Sequence, residues 1–369
     1  MVQGGADPLR DGVADYTEHL AGALTDAGED LLRVSVSGSL PSVLRAARIL
    51  RTRRPEVVHV QFAPSAFRFR PWIGLLPVLV GAPVVTTVHE YGWWAWPDRA
   101  PNRAWRVLDR RGVDRETWLL VPRSAAVLAT NAGHQQAIRE RSRVLAARVP
   151  LAPNVADRAT EPRGVTRRRL GLPDDAVVVV FFGFVHPVKG VRYLADAIAR
   201  VGARHTERLH LLVVGGFTSQ ALPEDEARAF RDELLAEIAA TGVPATITGH
   251  LPEEQVSAAL HAADLAAFPL TAGVTTKSGA LLSAWAHGLP TVVTAADPPD
   301  PELVDGETVV VARAVRDGEA LAVALRRLLD DPTLRLRVAA GGAAAGATRS
   351  WERLAEVHRK LYAEVRAGA

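Results

Sequence analysis

Lysine occurs only three times in this 369-residue chain, at Lys189, Lys277 and Lys360, although lysine and arginine together number 44. Arginine is the default cation, so a lysine marks a position where more than a generic positive surface is wanted. Two of the three stand in glycine-flanked loops, HPVKG ending at Gly190 and TTKSG ending at Gly279, each running into an expected helix. An ammonium on a flexible stem is a compact partner for phosphate. A single loop lysine is most simply a solvated one. Two in the same context read as two sides of one diphosphate site.

The second loop belongs to the stretch Gly273 to Thr294, GVTTKSGALLSAWAHGLPTVVT, which reads as loop, helix and strand. Thr276, Lys277 and Ser278 lead into a helical run whose Leu281, Leu282 and Trp285 share one face, and Gly288 supplies a stop before Pro290. The first turn of such a helix offers unpaired N–H groups and the positive end of the dipole. Ser278 and Gly279 are expected to let an oxyanion approach closely, and Lys277 adds a full charge.

Composition bounds the alternatives. The chain is 48% hydrophobic and 23% charged with a net charge of +3, too small and scattered to argue for nucleic acid. No apolar run approaches the ~20 residues that span a bilayer, and no basic-then-apolar leader opens the chain, so a cytoplasmic protein is expected. The absence of cysteine excludes disulfides, thiolate metal sites and thiol nucleophiles. Neither a GxGxxG after a first strand nor a GxxxxGK[ST] loop occurs, which weakens dehydrogenase and NTPase readings. No aspartate pair or histidine cluster reads as a metal site, so neither a metal nor an organic cofactor is expected.

The elements that must position these residues alternate between strand-like runs and amphipathic helices, the pattern of doubly wound α/β domains. Helices are expected at 13–27 and 42–53, strands at 31–36, 57–60, 84–88 and 127–130, and a further helix from His134. In parallel sheets ligands collect beyond the carboxyl ends of strands, which places His59, Gln61, His89 and Glu90 at a site. Two aromatic and basic loops follow strands, 66–72 and 91–105. The second carries Trp93, Trp94, Trp96 and Trp105 with Arg99 and Arg103, suited to stacking on a sugar or an apolar acceptor, or simply to packing on itself. VPLAPNV closes a first domain near Asn154, and 156–175, rich in Arg and Pro, reads as a linker. A second series begins at Val177, with helices at 193–204 and 224–241 and strands at 177–182, 209–214 and 245–248. Two such domains in tandem leave a cleft suited to a nucleotide. Gly4, Gly5 and Gly12 offer it a second, weaker phosphate-facing loop.

At this point the chain resembles the retaining GT-B glycosyltransferases of the family 4 type. The resemblance rests on the order of DGVADYTEHLAGAL, VVHVQF, VVTTVHE, APNV, FFGFVHPVKG, TGHLPEEQVSAALHAADLAAFPL, AHGLPTVV and a late SWERLAEVHRKLY. It implies two Rossmann-like domains, 1–160 binding an acceptor and 161–348 a nucleotide-diphosphate sugar donor, with a helix at 349–369 crossing back to the first. Lys189 matches a lysine on the donor diphosphate, Gly12 the glycine loop facing the phosphates, His89 the histidine near the transferred sugar, and Gly249, His250 and Leu251 a backbone turn at the nucleobase. With the residue-level reading, the expected catalytic set is His89, Lys189 and Lys277. Donor binding falls to Gly12, His186, Gly249, His250, Leu251, Thr275, Thr276, Ser278, Gly279 and Ser283. Acceptor binding falls to Gln61, Glu90, Trp93 and Trp94.

Three departures stand out. The two glutamates that family members separate by seven residues are replaced at Thr275 and Ser283, leaving backbone amides, Lys277 and Ser278 to substitute. The usual arginine after the first strand of the second domain is Phe184, leaving Lys189 and His186 to meet the phosphate. The chain also starts at the glycine loop, so the normally central first strand is expected to be missing, Met1 internal to a longer protein, and an extra strand of ~5–8 residues present upstream. The leading expectation is a glycosyltransferase of natural-product or cell-envelope chemistry. A nucleotide-sugar epimerase or hydrolase would turn over donor without acceptor, and a silent homologue would only bind it. Arg68, Phe69, Arg70 and Trp72 could meet a lipid surface, with loop or acceptor roles favoured.

Overall fold

The computed structural model describes residues 1–5, 12–95, 102–110, 112–202, 208–217 and 224–368. The chain forms two compact units, Met1–Leu151 with Ser350–Ala369, and Ala152–Arg349. Each contains one parallel sheet of six strands.

In the first unit the strands are β1 (Val2–Gln3), β2 (Val34–Ser35), β3 (Val58–Phe62), β4 (Val84–Val88), β5 (Ala126–Ala129) and β6 (Ala147–Arg148), in the order β2-β1-β3-β4-β5-β6. Every residue of β3 and β4 is buried, as expected of strands covered on both faces, so VHVQF and VVTTV show no alternation. Around them run α1 (Gly12–Asp26), α2 (Leu40–Arg53), α3 (Leu76–Leu79), α4 (Asn102–Arg110), α5 (Leu120–Arg123) and α6 (Ala132–Ser142). Ser39 and Asn131 start α2 and α6 by accepting from the amides of Ser42 and His134.

The second unit holds β7 (Val177–Phe182), β8 (Leu209–Val214), β9 (Ala245–Ile247), β10 (Leu265–Phe268), β11 (Thr291–Thr294) and β12 (Val310–Ala312), in the order β12-β11-β10-β7-β8-β9. Its helices are α7 (Arg163–Arg169), α8 (Val191–Gly202), α9 (Glu224–Thr241), α10 (Glu253–Ala262), α11 (Gly279–Ala286), α12 (Gly318–Asp330) and α13 (Pro332–Gly346). The last helix, α14 (Trp351–Ala367), packs on α1 of the first unit and buries Leu354, Ala355, His358 and Tyr362.

Three expectations change. The first strand is present: Val2 pairs with Val34 and Val60, and Gln3 with Ser35 and Gln61, so the slot between β2 and β3 is filled. Two residues suffice because β2 is equally short, the amide of Val34 within it and that of Val36 just beyond it donating to the carbonyls of Met1 and Gln3. The stretch 156–175 is not a linker but carries α7. Buried Arg167 donates to Ala262 O at 3.0 Å and to the Asp264 carboxylate at 2.7 Å, and Arg163 meets the other oxygen of Asp264 at 2.5 Å. An arginine run reads as solvated until a distant carboxylate supplies its partner. The boundary between units accordingly falls at Leu151, not at 160, because the Val155 amide donates to Ser283 Oγ at 3.0 Å and the Arg158 amide to Ser257 Oγ at 3.0 Å.

Candidate active site

Taken from β9, the second sheet runs β9-β8-β7-β10-β11-β12, so the winding direction reverses between β7 and β10. Loops leaving the carboxyl ends of those two strands diverge and open a crevice, the usual ligand position in such sheets. Lys189 lies in the loop after β7 and Lys277 in the loop after β10. The two loops are joined by backbone: the Thr271 amide donates to Val188 O at 2.9 Å. Gly190, at φ 68°, sits so close that a Cβ there would lie 2.0 Å from Pro269 O. Burial, and after it the Lys277 ammonium, hold Lys189 below the ordinary lysine pKa. The structure therefore brings the two lysines of the sequence pattern together.

The loop that carries Lys277 is fixed from beneath. Thr276 is buried, and both its amide and its hydroxyl donate to Asp300 Oδ2, at 2.7 and 2.8 Å. The Val274 amide donates to Thr294 O at 3.0 Å. Ser278 Oγ accepts from the Leu281 amide at 3.2 Å and so starts α11. Thr275 is half-buried, its hydroxyl accepting from the Lys277 amide at 3.4 Å. Several residues expected to touch the donor are thus turned inward. Ser283 is fully buried, donating to Gly279 O at 2.8 Å in the manner of a helical serine and accepting from Val155 N. At Gly279 a Cβ would fall 1.4 Å from Asn154 Oδ1, so its small size makes room for Asn154 of the same unit.

At the neighbouring strand ends, Gly249 bridges Gly215, with His250 exposed and Leu251 half-buried beside it. His186 Nδ1 accepts from the Val188 amide at 3.2 Å and shapes the short turn that delivers Lys189. Burial and then Lys189 lower its pKa, which favours the neutral imidazole.

In the first unit His89 follows β4, its amide donating to Phe62 O at 2.8 Å and its Nε2 meeting Gln61 Oε1 at 2.8 Å. Gln61 itself is wholly buried, between His59 and His89, so it cannot contact an acceptor and instead supports His89. Glu90 is half-buried and accepts from Ser65 Oγ at 3.4 Å, and Gly12 is exposed at the start of α1. Trp93 is exposed and meets the Phe69 ring edge-on at 5.6 Å, while Trp94 is tilted against Phe69 at 5.8 Å. Trp105 is buried in α4; Trp96 and Arg99 lie outside the described residues. Trp72 packs on Trp118 at 5.9 Å, leaving Arg68, Phe69 and Arg70 exposed. The loop after His89 is clamped by groups the sequence did not disclose. Glu116 accepts from the Gly92 amide at 2.8 Å and from Arg141 at 2.7 Å, and Arg141 covers the Tyr91 ring at 4.9 Å. Burial pushes the Glu116 carboxyl up to about 7.

Residues 31–160 match the family described as Glycosyltransferase Family 4, and residues 176–331 match Glycosyl transferases group 1. The chain belongs to these glycosyltransferases. A D-inositol 3-phosphate glycosyltransferase from Nocardioides sp. is 32% identical over 56% of this chain and 46% of its own length. The match thus spans about half of that relative. An alpha-D-kanosaminyltransferase from Streptomyces kanamyceticus is 27% identical over 88% of this chain and 82% of its own. The fold of this glycosyltransferase is that of Anabaena Alr3699/HepE, solved in complex with UDP and glucose, at TM-score 0.72 and 16% identity over 98% of each chain.

Among the described residues of this glycosyltransferase, Asp157, His261 and His287 bring their ligand atoms within 4.8 Å of one another. Their facing atoms are already engaged. His261 Nε2 meets Asp157 Oδ1 at 2.6 Å, and His287 Nε2 meets Ser257 Oγ at 2.8 Å while its Nδ1 meets Ser283 O at 2.7 Å. These bonds fasten Asp157 to α10, and α10 to the end of α11. Among the described residues no helix is long and apolar enough to cross a membrane.

Proposed function

We propose that the protein is a retaining glycosyltransferase that takes a sugar from a nucleotide-diphosphate sugar on its second unit and passes it to a small polyhydroxylated acceptor on its first, without a metal ion. The observation that carries this reading is Lys189 and Lys277 on two hydrogen-bonded neighbouring loops where the second sheet reverses direction, two cations suited to one diphosphate. As the glycosidic bond breaks, the leaving diphosphate gains negative charge. Fixed cations and the first amides of α11 stabilise that charge more than the ground state, which lowers the barrier. Retention is the stereochemistry typical of this family. The contacts that a glutamate pair makes elsewhere in the family fall here to backbone amides near Thr275 and to Lys277.

On the first unit, His89 meets the transferred sugar or its phosphate, and the exposed Trp93 with Trp94 supplies an aromatic face for the acceptor. The relatives' names point toward inositol phosphate and aminosugar chemistry, in natural-product or cell-envelope glycosylation. A thermal-shift screen against UDP, GDP, dTDP and ADP sugars tests the donor. One base series is expected to raise Tm by several degrees, since ligand binding stabilises the folded state by mass action. No shift with any of them, at millimolar ligand, would overturn the reading. Chelators are expected to leave turnover unchanged.

A further inference from the structure

We propose that Asp157, His261 and His287 form a divalent-cation site, suited to zinc, that ties the segment following Leu151 to α10 and α11. The ligand atoms of the three side chains lie within 4.8 Å of one another, and all three belong to the second unit. Positions 157, 261 and 287 are too far apart for a ligand spacing to show, so the sequence by itself points to no metal. The site concerns the fold of that unit and does not rest on the transferase reading.

The ligand set takes its orientation from His287. Its Nδ1 meets Ser283 O at 2.7 Å, and a backbone carbonyl only accepts, so the proton of the neutral ring sits on Nδ1. Nε2 then carries the lone pair. The Ser257 hydroxyl, 2.8 Å away, donates to it while accepting from the Arg158 amide at 3.0 Å. Ligand histidines are commonly held this way, with one nitrogen on a carbonyl and the other left for the metal. Ser257 and His261 stand one turn apart on α10, so the nitrogen that meets Ser257 looks toward the face that His261 shares, and the two imidazoles meet edge-on at 5.0 Å. His261 Nε2 meets Asp157 Oδ1 at 2.6 Å, which sets a carboxylate beside the second imidazole.

Two imidazoles and a carboxylate make the donor set of an open zinc site, whereas magnesium asks for oxygen ligands. Zinc bonds of ~2.0–2.2 Å set neighbouring ligand atoms roughly 3.3 Å apart. Asp157 and His261 therefore part slightly and close on His287, and both are partly exposed, which leaves them room to shift. The hydrogen bonds that engage the three are the ones coordination replaces. The Ser257 hydroxyl turns from His287 Nε2, and the His261 proton passes to Nδ1, leaving its Nε2 for the cation. The surroundings favour positive charge, since His287 caps the C-terminal end of α11, the negative end of its dipole. Lys277 precedes the other end of that eight-residue helix, about 12 Å along its axis, so the cation and the proposed diphosphate site are separate.

The test is a zinc titration of the full-length, untagged protein after treatment with a chelator, read by thermal shift and by metal analysis. Zinc chloride at micromolar concentration is expected to raise Tm by several degrees, and about one zinc is expected to stay with each chain through gel filtration. Millimolar magnesium chloride is expected to do neither. His261→Gln and Asp157→Asn, both at partly exposed positions, are expected to keep the metal-free Tm within a few degrees. Each should weaken zinc binding by more than about a hundredfold, since loss of an outer-shell partner alone costs about 10–100-fold. His19→Gln, which breaks the Asp15–His19 pair of the first unit, is expected to bind zinc as the wild type does. No zinc response in the wild type, unchanged affinity in His261→Gln and Asp157→Asn, or an equal loss in His19→Gln would each overturn the proposal. None of these readouts involves a nucleotide or an acceptor, so failure of the transferase reading would leave them unaffected.

Discussion

Burial, and after it the Lys277 ammonium, hold Lys189 below its ordinary pKa, which is a cost to the folded unit. Replacing Lys189 or Lys277 by Ala should lower kcat by about a hundredfold, roughly 3 kcal/mol of charge stabilisation in a preorganised site. The Tm without ligand should hold or rise, while the nucleotide-induced shift shrinks. Both trends are read in one set of thermal-shift and turnover measurements, and a fall in unliganded Tm with intact turnover would reverse the assignment. The lysine pair was legible because lysine is scarce in this chain. What fixes it was not. Asp300 lies 24 residues from Thr276, in a proline-rich loop with no local pattern, and only folding brings its carboxylate under the 276 amide and hydroxyl. Asp300→Ala should leave the fold intact, loosen the loop and cost about tenfold in turnover, one order being the worth of about 1.4 kcal/mol. Wild-type kinetics in that variant would show that the loop is held by other means. Ser283 and Gly279 mark the opposite failure: their types suited a phosphate, yet the segment that follows Leu151 claims both.

At the scale of elements, periodicity located the long helices and the continuous apolar strands well, since burial on both faces leaves its mark in composition. It failed where an element is defined by a partner rather than by its own pattern, as in two-residue β1 and arginine-rich α7. Helix α14 shows a third case, in which a buried polar residue carries a testable pH dependence. His358 is fully buried, its Nδ1 meets Leu354 O at 2.7 Å, and burial holds its pKa down to about 4 against the usual 6.5. Between those values the unfolded chain takes up a proton that the folded chain refuses. Its contribution is therefore fully present above pH 6.5 and is lost as pH falls through that window to about 4, amounting to at most about 3 kcal/mol. His358→Leu should flatten the decline of Tm between pH 6.5 and 4. His59, depressed in the same way, should keep part of the slope. Identical slopes in wild type and His358→Leu would show that the ring is not neutral in the folded state.

At the scale of the molecule, each unit has its own sheet and core, but the first is discontinuous in sequence, closed by residues that follow the whole of the second. The ends of the chain thus meet in one core: α14 lies on α1, with Trp351 stacked on His19 at 5.0 Å and edge-on to Tyr16 at 5.2 Å, and Arg359 reaches Glu29 at 3.0 Å. Among these contacts the exposed ion pair contributes little. Burial of Leu354 and Tyr362 dominates, at roughly 1.5–3 kcal/mol for each large apolar side chain. Ending the chain after Arg349 would expose their places on the first unit and strip His59 of its Tyr362 partner, while removing nothing from the core of the second. The truncated protein should therefore lose stability selectively. Limited proteolysis followed by mass spectrometry should find new cuts within 12–151 at temperatures where the full chain resists, with 152–349 recovered as a resistant fragment. That fragment should still warm on addition of the nucleotide series that stabilises the intact protein, because Lys189, Lys277 and the α11 terminus all lie inside it. Uniform destabilisation of both regions, or loss of the nucleotide response with the fragment intact, would show that the second unit does not hold the donor site by itself.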